Sequence, residues 1–321
     1  MKSLSLELET GEVFFPQIDW ADTTFRITYG RPLGSLIRSI QTIGLQNPPL
    51  LQKNGQGRFR IVAGFRRLRA LQMIGLESIR CNLASAETEK RALFLWNFYD
   101  TIDRGFNPVE QSLAVKKLFE FVEEKELIRE YLSCLKLAPK KEIVERYLKT
   151  AGISPLYQTA LLQGRLFPET IASVDPDFFP LANLILALFI SLHWGFQKQK
   201  EFLSDLKEIS NRRLQDPESI LFSSPVVEIL HHFQWTPQQK GEALRKYFRT
   251  CLYPTLTDTE KAFAAVLSPL KLDHRTRISP PPFFEGGRYG LEITFSDSKE
   301  LKESLEKITP ALEEGKLDDL P

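Results

Sequence analysis

The run IVAGFRRLRAL, residues 61–71, decides how the N-terminal part of this 321-residue chain folds. Ile61, Val62 and Ala63 form a short apolar run that favours a strand. Gly64 then breaks the strand, and FRRLRALQMIG reads as a helix ending at Gly75. A helix N-terminus carries unpaired backbone N–H groups and partial positive charge. Glycine before it permits close backbone approach, and Arg66 and Arg67 in the first turn offer forked donors suited to phosphate oxygens. Strand, glycine, helix start and arginines together make a phosphate cradle.

Outward from this run, PPLLQ and RFRIVA flank Lys53-Asn54-Gly55 and read as a β-hairpin. Further upstream, Leu33, Leu36, Ile37 and Ile40 share a helix face that closes at Gly44. Downstream, SIRCNLA alternates as a strand. Between Thr23 and Leu76 stand nine basic residues (Arg26, Arg31, Arg38, Lys53, Arg58, Arg60, Arg66, Arg67 and Arg69) and no Asp or Glu. With a whole-chain charge of only +1, this local excess implies an anionic ligand; the alternative is a basic surface whose charges pair with acidic residues elsewhere.

The same run resembles the GERRWRA box of ParB proteins, in a fold shared with sulfiredoxin, and LIRSIQTIGLQNPPLL resembles that family's upstream region. In ParB these parts line a CTP pocket. The resemblance therefore implies nucleotide binding by Gly64, Phe65, Arg66 and Arg67, with Leu45 to Pro49 near the base, and Asn97 assisting with the triphosphate and its Mg2+. There are departures. Phe65 replaces the family's acidic residue, and sulfiredoxin's catalytic cysteine stands at that place, so that reaction is excluded. Trp96 replaces the acidic residue before Asn97, leaving magnesium one hard ligand fewer; weak CTP hydrolysis is the most to expect. Asn107-Pro108-Val109-Glu110 reads first as a capping box with Pro at its first helical position.

From Asn107 to about Leu270 the pattern is helical, with further starts at Thr236-Pro237 and at Thr257–Glu260, both read as capping boxes. KEIVERYLKT, AGIS and PLYQTALLQGR have the outline of the helix-turn-helix that the ParB resemblance implies. Ser154 would cap the second helix, and Tyr157, Gln158, Thr159, Gln163 and Arg165 would face DNA; a helix pair packed in a bundle is the alternative. KGEALRKYFR is a second basic stretch. FFPLANLILALFISLHW, residues 178–194, contains Pro180, Asn183 and His193 and reads as a buried core helix, not a membrane span. ISPPPFFEGGRYG reads as a connector. GLEITFSDSKELKESLEKI reads as one strand with Ile293 and Phe295 half-buried, then a helix with Leu301, Leu305 and Ile308 on one face. It resembles the end of a ParB dimerisation domain.

Cys81, Cys134 and Cys251 lack metal or disulfide spacing, the four histidines lack ligand spacing, and there is no acidic cluster for two metals. The acidic N-terminus does not read as a signal peptide. The expectation is an α+β chain: a ParB/sulfiredoxin-like domain over 1–95, a helical domain over 96–195, a helical extension over 196–270 and a strand–helix unit over 271–321. The expected partners are DNA, a nucleoside triphosphate (CTP with Mg2+ first) and a second copy, in a bacterial cytoplasm on nucleoid or plasmid. A small-molecule phosphotransferase and an interaction protein without nucleotide are the other readings.

Overall fold

In the computed structural model, which describes residues 6–54, 57–178 and 181–321, the decisive run folds as its composition predicts. Strand β4 (Phe59–Ala63) ends at Gly64, and helix α2 (Phe65–Ile74) closes on Gly75 in the left-handed conformation. The other strands are β1 (Leu8–Phe14), β2 (Ile18–Asp19), β3 (Leu50–Lys53) and β5 (Ser78–Ala84), with α1 (Gly34–Ile43) before β3. The sheet order is β1-β5-β3-β4-β2. β1 runs antiparallel to β5, β3 parallel to β5, β4 antiparallel to β3, and β2 parallel to β4. The β3–β4 hairpin is present, with the Asn54 N–H on the Arg58 carbonyl at 2.7 Å; Gly55 of the expected turn lies outside the described residues. β1 and β2 were not foreseen, because the N-terminal stretch reads first as an acidic one.

Strand alternation puts successive residues into different cores. Ile61 and Leu51 pack with Leu68, Leu71 and Cys81 on one face. Val62 and Leu50 pack on the other with Phe25, Phe94, Phe98 and Leu118. That second core draws on helices α3 (Lys90–Ile102) and α4 (Pro108–Phe121), on the helical segment made of α5 (Glu124–Glu126), a π-turn (Leu127–Tyr131) and α6 (Leu132–Cys134), and on α7 (Lys141–Ala151). Each large side chain buried there contributes about 1.5–3 kcal/mol, so the sheet and the helices that follow it are held by one apolar interior.

The first compact unit extends to Lys200 and continues through α8 (Pro155–Leu162), α9 (Pro168–Asp177) and α10 (Ala182–Ser191). α10 is the expected core helix, burying Ile185, Leu186, Leu188 and Phe189; Pro180, part of that reading, lies outside the described residues. No helix among the described residues is long and apolar enough to cross a membrane.

The second unit starts at Glu201, within α11 (Phe196–Arg213), and contains α12 (Pro217–Leu221), α13 (Ser224–His231), α14 (Pro237–Leu252) and α15 (Pro254–Leu267). Thr236 caps α14 as expected, accepting from the Gln239 N–H. Thr257 is no cap: α15 starts at Pro254, and Thr257 is buried inside it. The tail also departs from expectation. Strand β6 (Thr276–Ser279) takes part of the supposed connector and pairs antiparallel with β7 (Gly290–Ile293), giving a hairpin before α16 (Ser298–Glu313). Phe295 lies beyond the strand and is exposed, and the buried face of α16 carries Ser304, Ile308 and Ala311, with Leu305 exposed.

Candidate functional site

Gly64 has φ +89°, and a Cβ there would come within 3.0 Å of Pro49 Cβ and 3.1 Å of Arg67 Nε. Both the left-handed turn from β4 into α2 and the closeness of Pro49 therefore require glycine. α2 begins with no side-chain cap, leaving its first-turn N–H groups without one. Beside it lies a cavity of about 240 Å3 lined by Thr28, Asn47, Gly64, Phe65, Arg66, Arg67, Asn97, Asp100 and Arg104. Every residue expected at the phosphate site is thus brought to one place.

The charges there are unevenly matched. Arg67 is engaged at both outer nitrogens, donating to the Asn47 carbonyl at 2.9 Å and to Asp100 Oδ2 at 2.6 Å. Arg66 donates to the Pro32 carbonyl at 2.9 Å but has no carboxylate partner among the described residues, and its Nε is buried without a hydrogen bond. Arg104 Nη2 is likewise buried and unpaired. Glu110, fully buried, accepts from Arg31 at 2.8 Å and from Arg104 at 2.8 Å, one carboxylate between two guanidiniums. Burial, then the neighbouring Arg104 and Arg31, hold the Arg66 guanidinium below its ordinary pKa, with Glu110 acting the other way. A buried donor left unsatisfied costs about 1–3 kcal/mol, so an anion with several oxygens is the chemistry that suits this cavity.

Asn97 is buried, with Nδ2 on the Phe25 carbonyl at 2.6 Å, which leaves its carbonyl oxygen for another partner. Phe65 borders the cavity while packing on the apolar core, and Trp96 packs on the other core. The residues present fit a phosphate group, with Asn97 and Asp100 able to offer oxygen to an accompanying magnesium ion. Asp100 and Arg104 were missed in the sequence. Asp100 follows Asn97 by three residues on one face of α3, and Arg104 stands in the turn just past its end at Ile102; the α3 periodicity was not read. The basic span also owes part of its excess to distant pairing, since Arg31, Arg60 and Arg67 meet Glu110, Asp22 and Asp100.

The Asn107 box caps α4 as expected, with Asn107 accepting from the Glu110 N–H at 2.9 Å. Its Glu110 carboxylate does more, also taking the Tyr29 N–H and an Arg31 guanidinium, and so ties the start of α4 to the segment before α1.

The helix pair α7 and α8 forms, joined through Gly152 and Ser154. α8 stops at Leu162, short of the expected Arg165, with Gly164 in the left-handed region. Ser154 occupies the N-cap position without a side-chain hydrogen bond. Tyr157 does not face outward: it is buried and donates its hydroxyl to the Asn183 carbonyl at 2.9 Å. A buried phenol belongs to the packing between helices, which corrects its assignment to a DNA face. Gln158 is half-buried and bonded to the Ile153 carbonyl, whereas Ser154, Thr159, Gln163 and Arg165 are exposed.

Residues 29–96 match the family model described as ParB N-terminal domain. Residues 29–96 thus resemble a ParB N-terminal domain. Curated relatives include a probable chromosome-partitioning protein ParB of Chlamydia pneumoniae, 29% identical over 149 residues, 44% of this chain and 49% of that protein. A nucleoid occlusion protein of Geobacillus kaustophilus is 31% identical over 135 residues, 41% of this chain and 45% of the other. The chain spans about half the length of these relatives. A solved structure of C-terminally truncated ParB from Caulobacter crescentus, complexed with CTP-γ-S, is 22% identical, covering 55% of this chain and 98% of that one, with a TM-score of 0.26. The ParB match covers α1, β3, β4, α2 and β5 and stops one residue before Asn97, so Thr28, Asn97, Asp100 and Arg104 of the cavity wall lie outside it.

Proposed function

We propose that this is a DNA-associated partition or regulatory protein whose ParB domain binds a nucleoside triphosphate, CTP first, with Mg2+. The observation that carries the reading is the cavity at the start of α2, where Arg66 and Arg104 keep buried guanidinium nitrogens without partners. Arg66 and Arg67 hold phosphates, Gly64 lets the backbone approach, and Asn97 assists. The exposed Ser154 and Thr159, with Gln163 and Arg165 just past the end of α8, meet DNA, in keeping with the partitioning and nucleoid-occlusion names of the relatives. Leu291, Phe295, Leu305 and Leu312, exposed on the C-terminal hairpin and α16, favour a homodimer there.

The test is a thermal-shift titration with CTP, ATP, GTP and UTP, with and without magnesium, on wild type, Arg66→Ala and Arg67→Ala. A ligand at about 100 times its Kd stabilises the native state by about 2.7 kcal/mol. A shift selective for CTP and lost in Arg66→Ala is the expected result. A shift with ATP alone points to the phosphotransferase chemistry. No shift with any nucleotide removes the ligand from the reading and leaves an interaction protein.

A further inference from the structure

α8 closes in a Schellman turn. Gly164 is left-handed, its N–H reaches the Leu161 carbonyl at 3.2 Å, and the Arg165 N–H reaches the Ala160 carbonyl at 2.9 Å. The next residue, Leu166, is buried. Arg165 itself is exposed, and its guanidinium has no carboxylate partner among the described residues. Its carbonyl is held by Gln199, near the start of α11 and fully buried. Gln199 Nε2 donates to the Arg165 carbonyl at 2.7 Å and to the Trp194 carbonyl at 2.7 Å. Its Oε1 accepts from the buried Thr170 hydroxyl of α9 at 2.8 Å. One amide thus joins the turn after α8, the start of α9 and the link between α10 and α11.

The chemistry of that position calls for a primary amide. Two carbonyls need donors and a hydroxyl needs an acceptor, and glutamine carries two N–H groups and one oxygen. A carboxylate would face the two carbonyls with no proton to give, and an apolar side chain would take both bonds away. The peptide of Arg165 is therefore fixed on both sides, its N–H by Ala160 and its C=O by Gln199, while its side chain stays free to reach outward. A long cationic side chain loses conformational freedom when it grips a phosphate; a backbone already fixed removes part of that cost. We propose that Gln199 is a positioning residue for DNA binding, holding the Arg165 peptide so that its guanidinium meets a backbone phosphate. The inference rests on the reading of the turn after α8 as part of the DNA face.

The experiment is a double-mutant cycle in DNA affinity. Wild type, Arg165→Ala, Gln199→Leu and the double variant, each as the full chain, are titrated onto a short labelled duplex of mixed sequence across a salt series, with folding followed by thermal melting. Gln199→Leu should weaken binding about three- to tenfold and lower the salt slope by about 1, as Arg165→Ala does. In the Arg165→Ala background it should change neither, although it lowers the melting temperature in both. Binding left unchanged by Gln199→Leu, or weakened alike in both backgrounds, means that the amide serves packing alone, and the proposal is wrong. Thr170→Val, which removes only the Oε1 partner, should show the same coupling at about twofold. It carries the test if Gln199→Leu does not fold, and wild-type binding by it then overturns the proposal. Failure of the DNA reading has a separate signature: wild type that does not bind the duplex, or Arg165→Ala that binds as wild type does, overturns the assignment of this turn and the inference with it.

Discussion

Replacing Gly30 with alanine should destabilise the first unit by about 2–3 kcal/mol. Gly30 has φ +62°, and a Cβ built on it would lie 2.3 Å from Leu162 Cδ1, at the end of α8. Two costs add. A left-handed conformation costs an L-residue about 1–2 kcal/mol, less the roughly 0.4–1 kcal/mol regained because alanine has fewer unfolded states to lose. Overpacking against Leu162 costs about 1–3 kcal/mol, at the low end if the leucine rotates away. The two can be separated. In a Leu162→Ala background the clash disappears and only the backbone term survives, so Gly30→Ala should then cost about 1 kcal/mol or less. Urea unfolding of the four proteins of this cycle, followed by circular dichroism, should give a coupling of about 1–2 kcal/mol. Gly30→Ala costing the same with and without the Leu162 side chain would refute the contact between the segment before α1 and α8. A cost near zero in both would refute the left-handed backbone as well.

Three further outcomes follow from the same kind of reasoning. Glu110→Gln leaves two partly buried guanidiniums facing an amide and should cost about 3 kcal/mol, measured by denaturant midpoint; a change within about 0.5 kcal/mol, the range of ordinary surface substitutions, would mean the Arg31 and Arg104 pairs are solvated. Tyr157→Phe should lose about 1 kcal/mol of stability through the Asn183 bond without changing DNA affinity, whereas Arg165→Ala should weaken DNA binding and lower its salt slope by about 1; fluorescence anisotropy across a salt series distinguishes them, and the reverse pattern would return Tyr157 to the DNA face. Asp273 is held below the ordinary aspartate pKa mainly by the Lys307 hydrogen bond, which outweighs desolvation, with Arg275 adding to it. Because the folded value is the depressed one, its contribution is complete above the unfolded pKa, near about 4, and fades as pH falls further. Amide exchange in α16 should therefore quicken below that pH in wild type, while Asp273→Asn should show the faster exchange already at neutral pH and no acid step of its own.

What was legible in the sequence was local. The strand–glycine–helix order of residues 61–75, the hairpin before it, the Asn107 and Thr236 caps and the α7–α8 helix pair depend on backbone geometry and on neighbours within about four residues, and such signals are written in consecutive side chains. The sequence by itself thus determined that an arginine-bearing helix start would follow a strand and a glycine. Only the tertiary structure decided what those arginines meet. Arg67 finds Asp100, and Arg31 finds Glu110, across 33 and 79 residues of chain. Tyr157 turns inward to Asn183, and β6 finds β7 across a Pro/Gly-rich stretch that looks like a connector. A charge or a ring carries no mark of its partner along the chain; its role is set by which surfaces the apolar core forces together, and that core gathers residues from Phe25 to Tyr147 at once.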